Sequence, residues 1–294
     1  MKNLKIKSFD GLELNAYLYD EVDNPKAIVQ IVHGMQEHGA RYDYTCKALN
    51  KAGFIALVSD NRGHGLTAKS IEHLGESDGD IFSETVKDQI EISKWLTAKY
   101  PDLTLYIMGH SYGSFITQRY IQACHLAKKA VICGTTNGSN MVMKFGRIVA
   151  WFTRLKNGKH GKATMIENMS FKNYAKGFEN GNWLCRDEEV WKKYNEDKYC
   201  GTPFPVSFYR SLFKNMGRLN RGIKDIDKDT KIMLVYGDQD PVGSKGKQIQ
   251  KLYKLYLKNN LDCIIKGYAG GRHEILNETN KDEVLSDIID FLSK

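Results

Sequence analysis

Apolar positions fall in blocks along this chain. Residues 4–9 and 12–19 alternate apolar and polar side chains around Asp10-Gly11, the pattern of two strands joined by a tight turn. "AIVQIVHG" (27–34) and "FIALVSD" (54–60) are almost unbroken apolar runs, which suit strands buried on both faces of a parallel sheet. Further strands are read at 103–109, 129–134, 231–237 and 261–268. Helical spacing lies between them, over 42–51, 83–99, 112–123, 246–258 and 282–292. In 83–99 the apolar residues are Val86, Ile90, Trp95 and Leu96, and Ser83 is the predicted N-cap.

The alternation stops from about 135 to 226 and then resumes. A βαβα block, a helical insert and a second βαβα block predict an α/β protein with a mostly parallel central sheet and helices on both faces. The expected division is a core of 1–135 and 221–294 and a helical cap, or lid, of 136–220. Within the cap, Met141, Met143, Phe145, Ile148, Val149, Trp151 and Phe152 are interleaved with Lys144, Arg147 and Arg154, as in an amphipathic helix. Packing of the cap on the core explains such a stripe. The sharper expectation is a wall for an acyl chain, with Met141, Phe145 and Trp151 as substrate-binding residues, or a patch that touches a lipid surface. At 182–190, Arg186 and Asp187 are expected to form an ion-paired helix start.

The formal net charge is +8, with 43 Lys and Arg against 35 Asp and Glu. The basic residues are scattered. No Arg-rich run or zinc-finger spacing points to nucleic acid, so no nucleic-acid partner is expected. The six cysteines form no C-x-x-C pair, and buried free thiols in a reducing compartment are expected. The basic start "MKNLKIK" has no apolar core behind it, so no signal peptide is read there. No window approaches the ~20 apolar residues of a membrane span. A soluble, cytoplasmic protein is the expectation. Oligomeric state is not legible.

The chemistry begins at "YIMGHSYGS", where Ser111 stands between Gly109 and Gly113, after an apolar strand and before a helix. In G-x-S-x-G the turn is so sharp that glycines must flank the serine by two on each side, and the hydroxyl emerges at the strand's carboxyl end. A serine hydroxyl needs a base and an acid to orient it, in the chain order Ser, Asp or Glu, His. "GDQDPVG" offers Asp238 and Asp240 after one late strand, and "GGRHEILNE" offers His273 after the last. His273 is the only histidine beyond His160. Asp240 is preferred as the acid because it lies deeper in its loop, stiffened by Pro241; Asp238 is read as a turn residue. The oxyanion donors expected are the backbone N–H groups of Tyr112 and Met35. His33 is read as a structural hydrogen-bonder rather than a second base.

"HGMQEHGARY", "DNRGHG", "GHSYG", "GDQDPVG" and "GGRHEILNE" together resemble the monoacylglycerol lipase and lysophospholipase branch of the α/β-hydrolases. The resemblance implies the α/β-hydrolase fold, a nucleophile at Ser111, an acid at Asp240, a base at His273 and oxyanion donors at Met35 and Tyr112. It also implies that Arg62 buttresses the core and that His64 is structural. Tyr112 stands where the family commonly has Met, and Ser114 where it has Gly; Tyr112 bears on the floor of the acyl pocket. The expected activity is hydrolysis of carboxylic esters, such as monoacylglycerols or lysophospholipids, through an acyl-enzyme and without metal or cofactor. A peptidase or acyltransferase using the same three residues, and a non-catalytic binding protein of the same fold, are the alternatives.

Overall fold

The computed structural model describes the backbone of residues 1–138 and 141–294, and within these all side chains except those of 141–144, 170 and 171. The strands are β1 (Lys2–Lys7), β2 (Glu13–Tyr19), β3 (Ala27–Val32), β4 (Phe54–Ser59), β5 (Leu105–His110), β6 (Ala127–Cys133), β7 (Lys231–Gly237) and β8 (Cys263–Tyr268). They form one sheet in the order β1-β2-β4-β3-β5-β6-β7-β8. The first two strands pair antiparallel, β2 runs antiparallel to β4, and every later pair is parallel.

The core helices are α1 (Asp43–Lys51), α2 (Ile81–Lys99), α3 (Tyr112–Ala123), α8 (Lys247–Lys258) and α9 (Lys281–Ser293). The unbroken apolar strands β3 and β4 are buried along their whole length, as expected, whereas β8 at the sheet edge is largely exposed. Alternate residues of β6 point to opposite layers: Val131 and Cys133 pack with Cys46 and Leu49 of α1 and Ile288 of α9. Ala130 and Ile132 pack with Ile116 of α3 and Leu252 of α8. One expected helix start moves. α2 begins two residues early, because Asp80 rather than Ser83 caps it and accepts the Ser83 N–H.

The chain passes from β3 to β4 on one side of β3 and then returns to lay β5 on the other. The carboxyl ends of β3 and β5 therefore flank a topological switch point, where open α/β sheets bind ligands. Between β6 and β7 the chain inserts α4 (Met141–Asn157), α5 (Thr164–Ala175), α6 (Glu188–Glu196) and α7 (Val206–Met216). α7 seats this insert: Phe208 and Leu212 share an apolar cluster with Phe82 and Val86 of α2. Ser211 Oγ also accepts the Phe82 N–H at 3.0 Å. Among the described residues, no helix is long and apolar enough to cross a membrane.

Candidate active site

Ser111 stands between β5 and α3, as the N-cap of α3, with φ 52° and ψ −118°, a positive-φ conformation that costs a non-glycine residue about 1–3 kcal/mol. The flanking glycines have identifiable reasons. A Cβ at Gly109 would overlap Thr117 Oγ1 and the Gly113 carbonyl, and one at Gly113 would overlap the Val32 and His33 carbonyls. The turn is thus wedged against β3. Its pitch is held by the Ser111 N–H, which donates to the Cys133 carbonyl at 3.0 Å.

His273 Nε2 lies 2.8 Å from Ser111 Oγ, and its Nδ1 lies 3.0 Å from Asp240 Oδ1. Both His273 and Asp240 are buried. Asp240 sits in the loop after β7, where Oδ1 also accepts the Val242 N–H at 2.8 Å. Asp238 does not join this line. Its Oδ1 accepts the Gly270 N–H at 2.8 Å and so ties the β7 loop to the β8 loop. Neither the Met35 N–H nor the Tyr112 N–H donates to a protein acceptor among the described residues.

His33 and His64 are buried and turned to structural use. His33 Nε2 accepts the Asn61 N–H at 2.9 Å, so Nδ1 carries the proton and donates to the Gly34 carbonyl. Burial lowers His33 to about 4 and His64 to about 3, which keeps both neutral. Arg62 donates to both oxygens of buried Asp88, at 2.7 and 3.0 Å, and to Asp10. Arg186 and Asp187 start α6 as expected but do not pair with each other. Asp187 caps the helix at the Val190 N–H, while Arg186 binds Glu278 at 2.8 Å.

A buried charge network behind the three residues was not read from the sequence. Glu37 accepts the Gly34 N–H and the Tyr42 hydroxyl, and Arg41 bridges Glu37 to Glu274. His110 places Nε2 3.0 Å from the His273 carbonyl and Nδ1 3.2 Å from Tyr42 Oη. The network joins the loop carrying Met35 to the loop carrying His273. Burial opposes the charged forms of Glu37 and Glu274, yet the Arg41 guanidinium outweighs it and holds both below the usual carboxylate value, Glu37 well below. For His110, burial is outweighed by the hydrogen bond and charge of Glu37, and the imidazole is held above its ordinary value. Glu37, Arg41, His110 and Glu274 all lie inside the quoted motifs. The i,i+4 spacing of Glu37 and Arg41 was the available signal.

Ser111 and His273 open into a chamber of about 520 Å³. Tyr112, Phe115, Leu212, Phe213 and Met216 supply apolar walls, and Tyr174, Trp183, Trp191 and Tyr194 of the insert add aromatic ones. Tyr112 is buried under the chamber with its ring 5.2 Å from that of Phe208. The expected acyl wall is different. Phe145 and Trp151 are 56% and 50% exposed and do not line the chamber, and the Met141 side chain lies outside the described residues. The face of α4 toward α7 is the one carrying Gly146 and Ala150, with Gly146 close against the Phe213 ring. Phe145, Ile148, Trp151, Phe152 and Leu155 point away from it, while Val149 packs inward. Trp151 instead borders a separate groove of about 600 Å³ with Ile148, Arg147, Arg154 and Arg210.

A parallel sheet with a strained serine at the switch point, a histidine in reach of it and a buried carboxylate behind defines a protein of the α/β-hydrolase fold. The family described as "Hydrolase_4: Serine aminopeptidase, S33" matches residues 23–280, and the chain belongs to that family. It is 23% identical over 280 residues to a monoacylglycerol lipase of Mycolicibacterium smegmatis, covering 92% of this chain and 89% of the relative. It is 24% identical to the human monoglyceride lipase, covering 92% and 82%. Among solved structures, a thermostable carboxyl esterase from Bacillus coagulans in complex with glycerol superposes with a TM-score of 0.88 at 26% identity, over 99% of this chain and 97% of the other.

Proposed function

We propose that the chain hydrolyses lipid esters of the monoacylglycerol or lysophospholipid type through an acyl-enzyme on Ser111. At the level of class it is a carboxylic ester hydrolase, as its esterase and lipase relatives are. The observation that carries the finer reading is the line from Ser111 Oγ through His273 to Asp240, opening into an apolar chamber.

In this reading Ser111 Oγ attacks the ester carbonyl while His273 Nε2 takes its proton. The developing oxyanion is met by the N–H groups of Met35 and Tyr112, the latter at the N-terminus of α3. His273 then gives the proton to the departing alcohol. Water, deprotonated by the same imidazole, releases the acid. Asp240 keeps the His273 proton on Nδ1 and stabilises the imidazolium. Residues 1–135 and 221–294 act as the catalytic core and 136–220 as the cap that encloses the acyl chain.

Cleavage of peptides from a free amino end is disfavoured by the chamber's charges. An α-ammonium group would need a carboxylate, but the two that line the chamber, Glu37 and Glu274, are already bound to Arg41. The outer face of the cap suits transient contact with a lipid surface. Phe145, Ile148, Trp151, Phe152 and Leu155 of α4 are exposed beside Arg147 and Arg154, which have no acidic partner among the described residues. The test is a chain-length series of glycerol esters, lysophospholipids, nitrophenyl esters and aminoacyl amides. Monoesters of long acyl chains are expected to turn over fastest, with all activity lost in Ser111→Ala. Preference for aminoacyl amides would overturn the reading.

A further inference from the structure

A second cluster of reactive groups lies on the seam between core and insert, outside the line from Ser111 to Asp240. His38 follows the loop that carries Met35, and Asp197 and Cys200 lie just beyond α6. His38 Nε2 is 2.8 Å from Asp197 Oδ2. With Cys200 Sγ, the three donor atoms all lie within 4.8 Å of one another. The backbone holds them in this array. The Cys200 N–H donates to the Asp197 carbonyl at 2.9 Å, the Tyr199 N–H to Asp197 Oδ1 at 2.8 Å, and the Gly201 N–H to the Gln36 carbonyl at 3.1 Å. Cys200 is buried, while His38 and Asp197 are only partly covered, which leaves a path from solvent.

We propose that His38, Asp197 and Cys200 bind one Zn²⁺ ion, which clamps the insert to the core beside the chamber. Imidazole nitrogen, carboxylate oxygen and thiolate sulfur are a donor set that suits zinc, whereas Ca²⁺ and Mg²⁺ favour oxygen alone. Bond lengths of about 2.0–2.3 Å put tetrahedral donors roughly 3.3–3.8 Å apart, so the widest pair here closes by no more than about 1.5 Å. Zn²⁺ replaces the Cys200 thiol proton, which passes to buffer, and His38 offers its Nε2 lone pair with its proton on Nδ1. Water fills the fourth position. The nearby positive charge of Arg41 is already balanced by Glu37 and Glu274. Tyr194, Asn195 and Gly201 on one side of the seam, and Gln36 on the other, line the chamber, so a clamped seam slows exchange of substrate and product. This last step rests on the chamber being the ester site; the binding itself does not.

The experiment titrates the purified full-length chain with Co²⁺ and then Zn²⁺, following the sulfur-to-cobalt charge-transfer absorption, and measures p-nitrophenyl butyrate hydrolysis on the same samples. One Co²⁺ per chain with a thiolate band, displaced by Zn²⁺, is expected, and hydrolysis falls in proportion to the occupied fraction and returns with a chelator. Cys200→Ser removes the band. His38→Gln keeps all six thiols and weakens Zn²⁺ binding by more than about 100-fold, beyond the about 10–100-fold typical of losing an outer-shell partner. No thiolate band in the unmodified chain, or the same band in Cys200→Ser, overturns the site. Stoichiometric binding with unchanged hydrolysis overturns the clamp. A chain that binds metal as expected but hydrolyses no ester contradicts the proposed function instead.

Discussion

Ser111 and Trp151 are both presented outward from helices, but by opposite means. Ser111 is held by its surroundings: glycines wedged against β3, a backbone bond to β6, a histidine from the β8 loop and a charge network behind. Trp151 is half-exposed, edge-on to Phe152 at the border of an open groove. Among the described residues, α4 turns Gly146, Val149, Ala150 and Thr153 to the protein and leaves Phe145, Ile148, Trp151, Phe152 and Leu155 exposed beside Arg147 and Arg154, which have no acidic partner there. The core rim therefore spends local strain on one fixed geometry, while the insert keeps a surface that gains from an external partner.

The largest effects should fall at the rim. Ser111→Ala and His273→Ala are each expected to lower kcat by about 10⁵–10⁶-fold, and the double variant by little more, because residues acting as a unit do not add. Asp240→Asn leaves the shape intact but favours the wrong imidazole tautomer, and should lower kcat by about 10⁴-fold. Steady-state kinetics on a soluble nitrophenyl ester check all of these. Asp238→Asn, two residues away, should cost far less, since its oxygen serves a backbone turn.

Next comes the support behind the rim. Arg41→Met leaves Glu37 and Glu274 buried without their cation, and should destabilise the fold by about 3–5 kcal/mol. The pH dependence has a definite sign. Both carboxyls lie below their ordinary values in the folded chain, so their stabilisation is present above those values and is lost as pH falls through the lowered ones. The difference in Tm between the unmodified chain and Arg41→Met should therefore be widest near neutral pH and narrow below about pH 4. A constant difference would mean that the carboxylates are not held by Arg41.

The smallest effects belong to the outer face of α4. Trp151→Asp should reduce hydrolysis of emulsified long-chain esters several-fold and leave p-nitrophenyl acetate nearly unchanged, with weaker sedimentation onto anionic vesicles. Equal losses on both substrates would place Trp151 in the chemistry of the chamber and erase the contrast between the two regions.

What the sequence disclosed follows the same contrast. The central strands were legible because two-faced burial makes them almost purely apolar, and Ser111 because its turn admits only glycine at two fixed offsets. The insert was not legible at this level. An apolar stripe such as Phe145 to Phe152 states that a helix has a preferred face, but not whether that face meets the core, the chamber or a lipid. Gly146 and Ala150, easily passed over, mark the inner face. The chamber walls Tyr174 and Trp183 are spread over stretches with no clear period, and only Trp191 and Tyr194 share a helical spacing, on α6. The network of Glu37, Arg41, His110 and Glu274 needs long-range pairing, and only its i,i+4 pair had a local sign.

The central claim is that Ser111 is the one hydroxyl made nucleophilic in this chain, and labelling with a fluorophosphonate followed by peptide mass mapping tests it most directly. The account predicts a single adduct on the peptide containing Ser111, lost in Ser111→Ala and strongly slowed in Asp240→Asn. An adduct on any other residue, or undiminished labelling of Ser111→Ala, would contradict it.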